Sequence, residues 1–405
     1  MFEDDSRATN LTRSNQLKKS LADVLTKFYP LAGRVKENLY IDCNDEGVLY
    51  LEAQVNCQLS QIIGQQPINP HVELNKLLPF DRLNDAGDVL LAIQVTVFKC
   101  GGMAIGMCFS QLVPLPTLGP VPLERVHYKK NHLCGHSNMV CPRLDSATYF
   151  PPRDMSCYNI KTGRTEEKMV SKRFLFNASV ISTLKDKYAN EIQPTRVEAL
   201  SAFIWSRFVV ATSDQVEAEA EAGTSITRLY LVIHGLDLRM RMNPPPTESY
   251  FGNFSWVVTI MPSMDKTVEE GYGFVTKMRE AVKKTKDSDY VKRIQEGDTL
   301  FSSMKRKGDD KSSQEPPREE AMRKNIEFGN FTFSSYCRFQ LYEVDFGWGR
   351  PIWVSRATLP VKNQAVFIPT RSGDGIEVWI NLTDVDMAKF EADGVFLKFL
   401  SQASD

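Results

Sequence analysis

Two apolar stretches, Val89 to Phe98 and Met103 to Ser110, lie end to end around Cys100-Gly101-Gly102. Strands that stay apolar at successive positions have no face to give to water, so they read as sheet interior covered on both sides. A chain with such strands must supply a second layer to cover them, which favours a layered α/β fold over a solvated antiparallel sheet. The rest of the sequence offers that material. Asn15 to Phe28 places Leu17, Leu21, Val24, Leu25 and Phe28 on one helical face, with Ser14 or Asn15 as cap and Pro30 just beyond its end. Glu37 to Cys43 and Gly47 to Val55 alternate like strands about the turn-rich Asn44-Asp45-Glu46-Gly47 and read as a hairpin.

The second half repeats the mixture. A strand at Lys172 to Phe176 precedes helices near Ser179 to Tyr188 and Thr195 to Ala211, a core strand at Thr227 to His234 and a charged helix at Val268 to Lys284. Strands return at Phe331 to Tyr342, Trp353 to Leu359, Ala365 to Thr370 and Gly375 to Leu382, before a last helix at Asp384 to Leu400. The stretches 215–223 and 305–324, rich in charge, read as solvated loops or helix ends. At about 150 residues per domain, 405 residues give two or three domains. Pro142, Pro151, Pro152 and Gly163 mark an exposed crossover. The expected division is an N-terminal domain over 1–143, a linker over 144–168 and a C-terminal domain over 169–405, two similar-sized α/β domains with mixed sheets.

Charge excludes one broad class. The 49 basic residues nearly cancel the 50 acidic ones, for a net charge of −1, so nothing calls for nucleic acid. The longest apolar runs break well before the roughly 18 residues of a bilayer span, and the start of the chain has no apolar signal region. The expectation is a soluble, cytoplasmic protein with no membrane partner. Eight scattered cysteines form no C-x-x-C pair, so they read as reduced thiols rather than a disulfide framework or zinc site.

Asp345-Phe-Gly-Trp-Gly349 is by itself a glycine-bracketed turn around a tryptophan. It stands in order with Leu25-Thr-Lys-Phe-Tyr-Pro-Leu-Ala-Gly-Arg34, Cys100-Gly-Gly102, Phe150-Pro-Pro152, Asp237-Leu-Arg-Met-Arg-Met-Asn-Pro-Pro245, Tyr250-Phe-Gly-Asn253 and Thr370-Arg-Ser-Gly-Asp-Gly375. In that order and spacing the chain resembles the plant BAHD acyltransferases, and within them the vinorine-synthase-like group, over nearly its whole length. The resemblance implies two chloramphenicol-acetyltransferase-like domains with an interdomain channel. An acyl-CoA enters from one face and a hydroxylated small molecule from the other, with no resident cofactor, no metal and a monomeric enzyme. It further implies acetyl-CoA as donor and an alkaloid or terpenoid, such as a limonoid, as acceptor. A histidine in an H-x-x-x-D motif would deprotonate the acceptor, and a positioned base of this kind contributes about 10²–10⁴-fold. Tyr250, Gly252, Asn253, Arg371, Ser372, Gly373 and Asp374 map to segments near the coenzyme, and Asp345 maps to a position that holds its turn.

The sequence departs from that pattern where the chemistry belongs. Gln111 occupies the histidine slot and Leu115 the aspartate slot. Glutamine takes no proton at neutral pH, and leucine forms no ion pair. Prolines at 114, 116, 120 and 122 forbid the helix that follows in the family. An unfamiliar block over 111–136, flanked by good matches, reads either as a genuine loss giving a catalytically silent homologue or as a shifted frame or misplaced splice junction. The family also has a strand and more helix ahead of the point where Met1 falls, so the chain reads as truncated. Of the five histidines, His127, His132 and His136 crowd this block with Cys134 in no zinc spacing, His71 stands apart, and His234 reads as a satisfied core residue.

Overall fold

The strand Leu91–Phe98 (β4) is the spine of the N-terminal half, buried at all but one of its positions. It pairs in parallel with Leu49–Val55 (β3) and antiparallel with Met103–Phe109 (β5), in the order β3-β4-β5. Two-sided burial therefore holds for β4 but not for β5, which is a sheet edge and leaves Met107 and Phe109 each 54% exposed. The computed structural model describes residues 3–36, 40–63, 74–80, 87–109, 121–122, 168–189, 193–221, 227–237, 239–241, 250–251, 255–261, 272–285, 326–357 and 361–401.

The first helix, Glu3–Lys27 (α1), begins well ahead of Asn15. Leu17, Leu21 and Leu25, followed by Phe28, pack on Leu91, Ile93 and Val95, while Val24 turns outward. Ser14 is no cap: inside the helix, its hydroxyl reaches Tyr50 and Glu52 on β3. The expected hairpin does not form. Tyr40–Asp42 (β2) pairs instead with Arg34–Lys36 (β1), and β3 goes to β4. Arg34 explains the diversion. Its Nη1 donates to the Gly47 carbonyl at 2.7 Å, its Nε pairs with Glu46 at 3.0 Å, and Gly47 N donates to the Ala32 carbonyl at 2.9 Å. The turn is thus tied to residues 32–34, with Gly47 at φ 86°.

The C-terminal half is built on six strands in the order β10-β8-β11-β12-β13-β7. These are Met169–Phe176 (β7), Thr227–Asp237 (β8), Ser255–Ile260 (β10), Ile326–Ser335 (β11), Gln364–Pro369 (β12) and Ile376–Thr383 (β13). The neighbours β8, β11 and β12 run parallel, and the other pairings are antiparallel. Helices Ala178–Lys187 (α2), Arg196–Glu221 (α3), Tyr272–Lys284 (α4), Asp384–Ala392 (α5) and Gly394–Ser401 (α6) accompany it, alongside a short Leu59–Ile63 turn of helix in the N-terminal half. The core is aromatic: Phe203, Trp205 and Phe208 of α3 meet Phe331, Phe333 and Phe367 of the sheet and Phe396 of α6. Asn177 caps α2 through Val180 N at 2.9 Å, and Thr383 caps α5 through Asp386 N at 3.1 Å. The expected single final helix is two, because Asp393 breaks it and caps the second through Phe396 N at 2.7 Å.

Two expected strands are revised. The Phe331 strand starts at Ile326 and ends at Ser335, where Phe339 N folds back to the Tyr336 carbonyl at 2.9 Å. Residues 353–357 are no strand, since Trp353 is drawn off by its Nε1 donation to Glu377 at 3.1 Å. The remaining sheet face meets the N-terminal half: Val366, Ile368 and Trp379 pack with Leu74, Ile62 and Leu77. A two-residue pairing of Val121–Pro122 (β6) with Tyr250–Phe251 (β9) adds a second connection. The expected crossover lies outside the described residues except for Lys168. Among the described residues no helix is long and apolar enough to cross a membrane.

Candidate active site

Parallel strands finish together, so β8, β11 and β12 deliver their carboxyl ends to one edge of the large sheet, the place where open α/β sheets hold ligands. Past Asp237 comes the 3₁₀ turn Arg239–Arg241, past Ser335 the turn around Tyr336, and past Pro369 the turn 370–375. β10 begins with Ser255 opposite Asp237, so Tyr250 and Phe251 just before it enter at the same edge. Two sequence candidates far apart in the chain, Tyr250 and Arg371 to Asp374, are thereby brought to one side. Gly252 and Asn253 lie outside the described residues.

The 370–375 turn is closed by its own side chains. Thr370 N donates to the Gly375 carbonyl at 3.1 Å and Gly373 N to the Thr370 carbonyl at 2.9 Å, with Gly373 at φ 78°. The Ser372 hydroxyl donates to Asp374 Oδ1, which also accepts Gly375 N at 2.7 Å. These two donors, the hydroxyl first, hold the Asp374 carboxyl below the usual carboxylate range. Arg196 of α3 clamps the turn from outside, its Nη1 donating to the Gly373 carbonyl at 2.7 Å and the Asp374 carbonyl at 3.3 Å. Arg371, Ser372, Gly373 and Asp374 are all exposed, presenting backbone and polar groups to solvent.

Beneath this turn lies a buried pair that sequence reading missed. Arg173 Nη1 stands 3.5 Å from Glu377 Oε1, both side chains under a tenth exposed, with the guanidinium 5.4 Å from the Trp353 ring. Burial pushes the Glu377 carboxyl up, and Arg173 and the Trp353 N–H pull it back. The β7–β13 register, which sets Arg173 beside Trp379 and Glu377 beside Leu175, is a long-range fact that no local signal carries.

Asp345 belongs to the turn over residues 345–349. Its Oδ1 accepts Gly347 N at 2.8 Å and Gly349 N at 3.0 Å, and those glycines take φ of 99° and 111°. The same two N–H groups, Gly347 first, keep its carboxyl below the usual range. The turn reaches across to α1: Gln16 Nε2 donates to the Phe346 carbonyl at 2.9 Å, Arg13 stacks over the Trp348 ring, and Trp348 packs against the Leu17 and Ile93 cluster. Among the described residues the Asp345 side chain accepts from backbone amides of its own turn, and that turn touches α1.

Gln111, Leu115, His71, His127, His132 and His136 lie outside the described residues, β5 ending at Phe109. His234 is described, and it is buried against Phe333, ring centroids 4.8 Å apart and near-parallel. Its Nε2 has no hydrogen-bond partner among the described residues, so it is a core histidine whose ring nitrogen those residues leave unsatisfied. Burial lowers its pKa to about 3, with Glu198 opposing weakly, so it is neutral at physiological pH. Among the described residues no group of His, Cys, Asp and Glu is arranged to hold a metal ion.

The model of the Transferase family matches residues 1–397. The chain belongs to this family, the BAHD acyltransferases. It is 32% identical to stemmadenine O-acetyltransferase of Catharanthus roseus, over 98% of this chain and 87% of that one. Limonoid 21-O-acetyltransferase of Citrus sinensis is 32% identical, over 96% of this chain and 86% of the relative. The crystal structure of vinorine synthase superposes with a TM-score of 0.65 at 29% identity, covering 96% of this chain and 86% of that one. The vinorine-synthase-like placement and the mixed α/β fold class of this BAHD chain stand on these matches.

Proposed function

We propose that the activity of this fold is transfer of an acetyl group from acetyl-CoA to a hydroxyl of a plant specialised metabolite, an alkaloid or a terpenoid such as a limonoid. The observation that carries it is similarity over nearly the whole chain to O-acetyltransferases named for such acceptors. The acceptor oxygen attacks the thioester carbonyl, the coenzyme thiolate leaves, and the acceptor proton must go to a base. Tyr250, Gly252, Asn253 and the Arg371 to Asp374 turn are the coenzyme-facing segments in this reading, supported by the sheet edge that Tyr250 shares with that turn. Acetyl-CoA acts as co-substrate in a cytoplasmic monomer of two domains, 1–143 and 169–405 around a 144–168 linker, and Asp345 serves structure rather than proton transfer.

Gln111 and Leu115 favour a second reading for the chain as written: ligand binding with turnover suppressed for want of the base. Coenzyme A release with a panel of hydroxylated alkaloids and limonoids, run beside acetyl-CoA binding, separates the two. Turnover supports the first, binding without turnover the second, and neither with folded protein overturns both. Transcript sequencing across the codons for Ser110 to Ser137 tests the frame. A histidine and an aspartate at the two slots identify the written block as an artefact, and repeated recovery of the proline-rich block makes it genuine.

A further inference from the structure

In the N-terminal half, the chain leaving β3 is fastened to the turn between β4 and β5, and each segment carries a free cysteine. Lys99 N donates to the Cys57 carbonyl at 3.0 Å, and Leu59 N donates to Cys100 Sγ at 3.5 Å. Residues 57–59 and 99–100 therefore lie side by side, just past the parallel pairing of Val55 with Phe98. We propose that Cys57 and Cys100 are a reversible redox pair, two thiols that a peroxide converts to a disulfide joining the end of β3 to the β4–β5 turn.

The turn that carries Cys100 is tight. Phe98 N donates to the Gly102 carbonyl at 2.9 Å and Gly101 N to the Phe98 carbonyl at 2.9 Å, with Gly101 at φ 78°. It is also seated closely on the other segment, since a Cβ at Gly102 would stand 3.0 Å from Leu59 Cδ2 and 3.4 Å from Cys100 Sγ. Hydrogen-bonded strands run about 4.8 Å apart, and disulfides span Cα separations of about 4.4–6.8 Å, so segments already bonded to each other close such a bond by side-chain rotation. The other described cysteines stand elsewhere: Cys43 follows β2, Cys108 lies at the far end of β5, and Cys337 lies beyond β11. Cys100 is exposed and Cys57 half-buried, so an oxidant in solution meets Cys100 first. The Leu59 and Gly102 amides, Leu59 first, hold the Cys100 thiol below its ordinary value, which favours the nucleophilic thiolate. The Cys100 thiolate attacks one oxygen of hydrogen peroxide, the O–O bond breaks, and a sulfenic acid forms as hydroxide leaves. Cys57 sulfur then attacks the sulfenic sulfur, giving up its proton as the S–O bond breaks. Two thiols and one peroxide thus give one disulfide and two waters, and an added dithiol reverses the oxidation.

The inference is independent of the acyl-transfer reading, and its test needs no turnover. The full chain is treated with hydrogen peroxide, once folded and once unfolded in urea, then alkylated, digested without reductant and mapped by mass spectrometry. The expected product of the folded chain is a peptide linking Cys57 to Cys100, lighter by two hydrogens than the two thiol peptides and separated again by dithiothreitol. Because the bond closes residues 58–99 into a loop, the oxidised chain is expected to melt about 4 °C or more above the reduced one. Cys57→Ser is expected to lose that rise and to stop at a Cys100 sulfenic acid that dimedone traps. Cys100→Ser is expected to lose both the link and the trapped adduct, and since Cys100 is exposed this variant is expected to fold. The mapping of the wild-type chain decides the matter even if a variant does not fold. The proposal is overturned if folded wild type yields no Cys57–Cys100 peptide, if the unfolded chain forms that link as readily, or if Cys57 or Cys100 pairs mainly with another cysteine.

Discussion

One buried ring makes this fold sensitive to acid. His234 lies between Phe333 and Phe274, has an Nε2 with no partner among the described residues, and carries a pKa of about 3 against an ordinary 6.5. In the unfolded chain the imidazole takes up its proton as pH falls below 6.5, whereas the folded core refuses it until about pH 3. Between those values the unfolded state binds more protons, so stability present at neutral pH is lost as pH drops. The loss from this residue is about 2 kcal/mol at pH 5 and about 5 kcal/mol at full protonation. Glu198 sets a modest limit: its carboxylate favours the imidazolium, but it is engaged by Arg279 at 3.0 Å. His234→Phe preserves the stacking and removes the titration. Urea unfolding of wild type and variant at pH 7.5 and pH 5 isolates the effect, because the carboxylates common to both cancel in the difference. Wild type is expected to lose about 2 kcal/mol more than the variant over that interval. Equal losses would refute the assignment of a neutral, buried histidine.

Other perturbations follow from particular contacts. Gly106→Ala would set a Cβ 2.0 Å from the Leu77 carbonyl oxygen. It is expected to lower stability by about 1–3 kcal/mol in denaturant melts, since backbone rather than a flexible side chain must yield. Arg173→Met strands the Glu377 carboxylate and is expected to cost about 3–5 kcal/mol, with much of that recovered in Arg173→Met/Glu377→Met, a double-mutant cycle read by chemical unfolding. Trp348→Ala removes the half-buried ring that joins the Asp345 turn to α1. It is expected to cost about 2 kcal/mol and to raise hydrogen exchange in both segments together. Exchange rising in the turn alone would show that the ring does not couple them.

Local patterning made most helices and strands legible. The heptad-like apolar face of α1 and the unbroken run of β4 announced their burial, whereas the caps Asn177 and Thr383 emerged only in the structure. What failed was partner choice. Glu37 to Val55 looked like a hairpin because adjacent alternating segments normally pair, and only Arg34, with its reach to Gly47 and Glu46, sends the strands elsewhere. β5 is as apolar as β4, yet its edge position exposes Met107 and Phe109, a property of the sheet rather than of the strand. At the candidate site the turn residues Arg371 to Asp374 were readable as a motif. Arg196, which clamps them from α3, and the Arg173–Glu377 pair beneath belong to distant segments and left no local trace.

The proposed acetyl transfer puts its base in the H-x-x-x-D slot that follows Ser110 in the sequence, where the written chain has Gln111. The deciding measurement compares acetyl-CoA turnover of the written chain, Gln111→His, and a chain whose 111–136 block is replaced by an H-x-x-x-D segment and its helix. The replaced chain is expected to turn over at least about 10²-fold faster than the written one, with Gln111→His recovering little, because Pro114 and Pro116 leave the imidazole unheld. Equal rates for the written and replaced chains would contradict the account, placing the proton acceptor somewhere other than position 111.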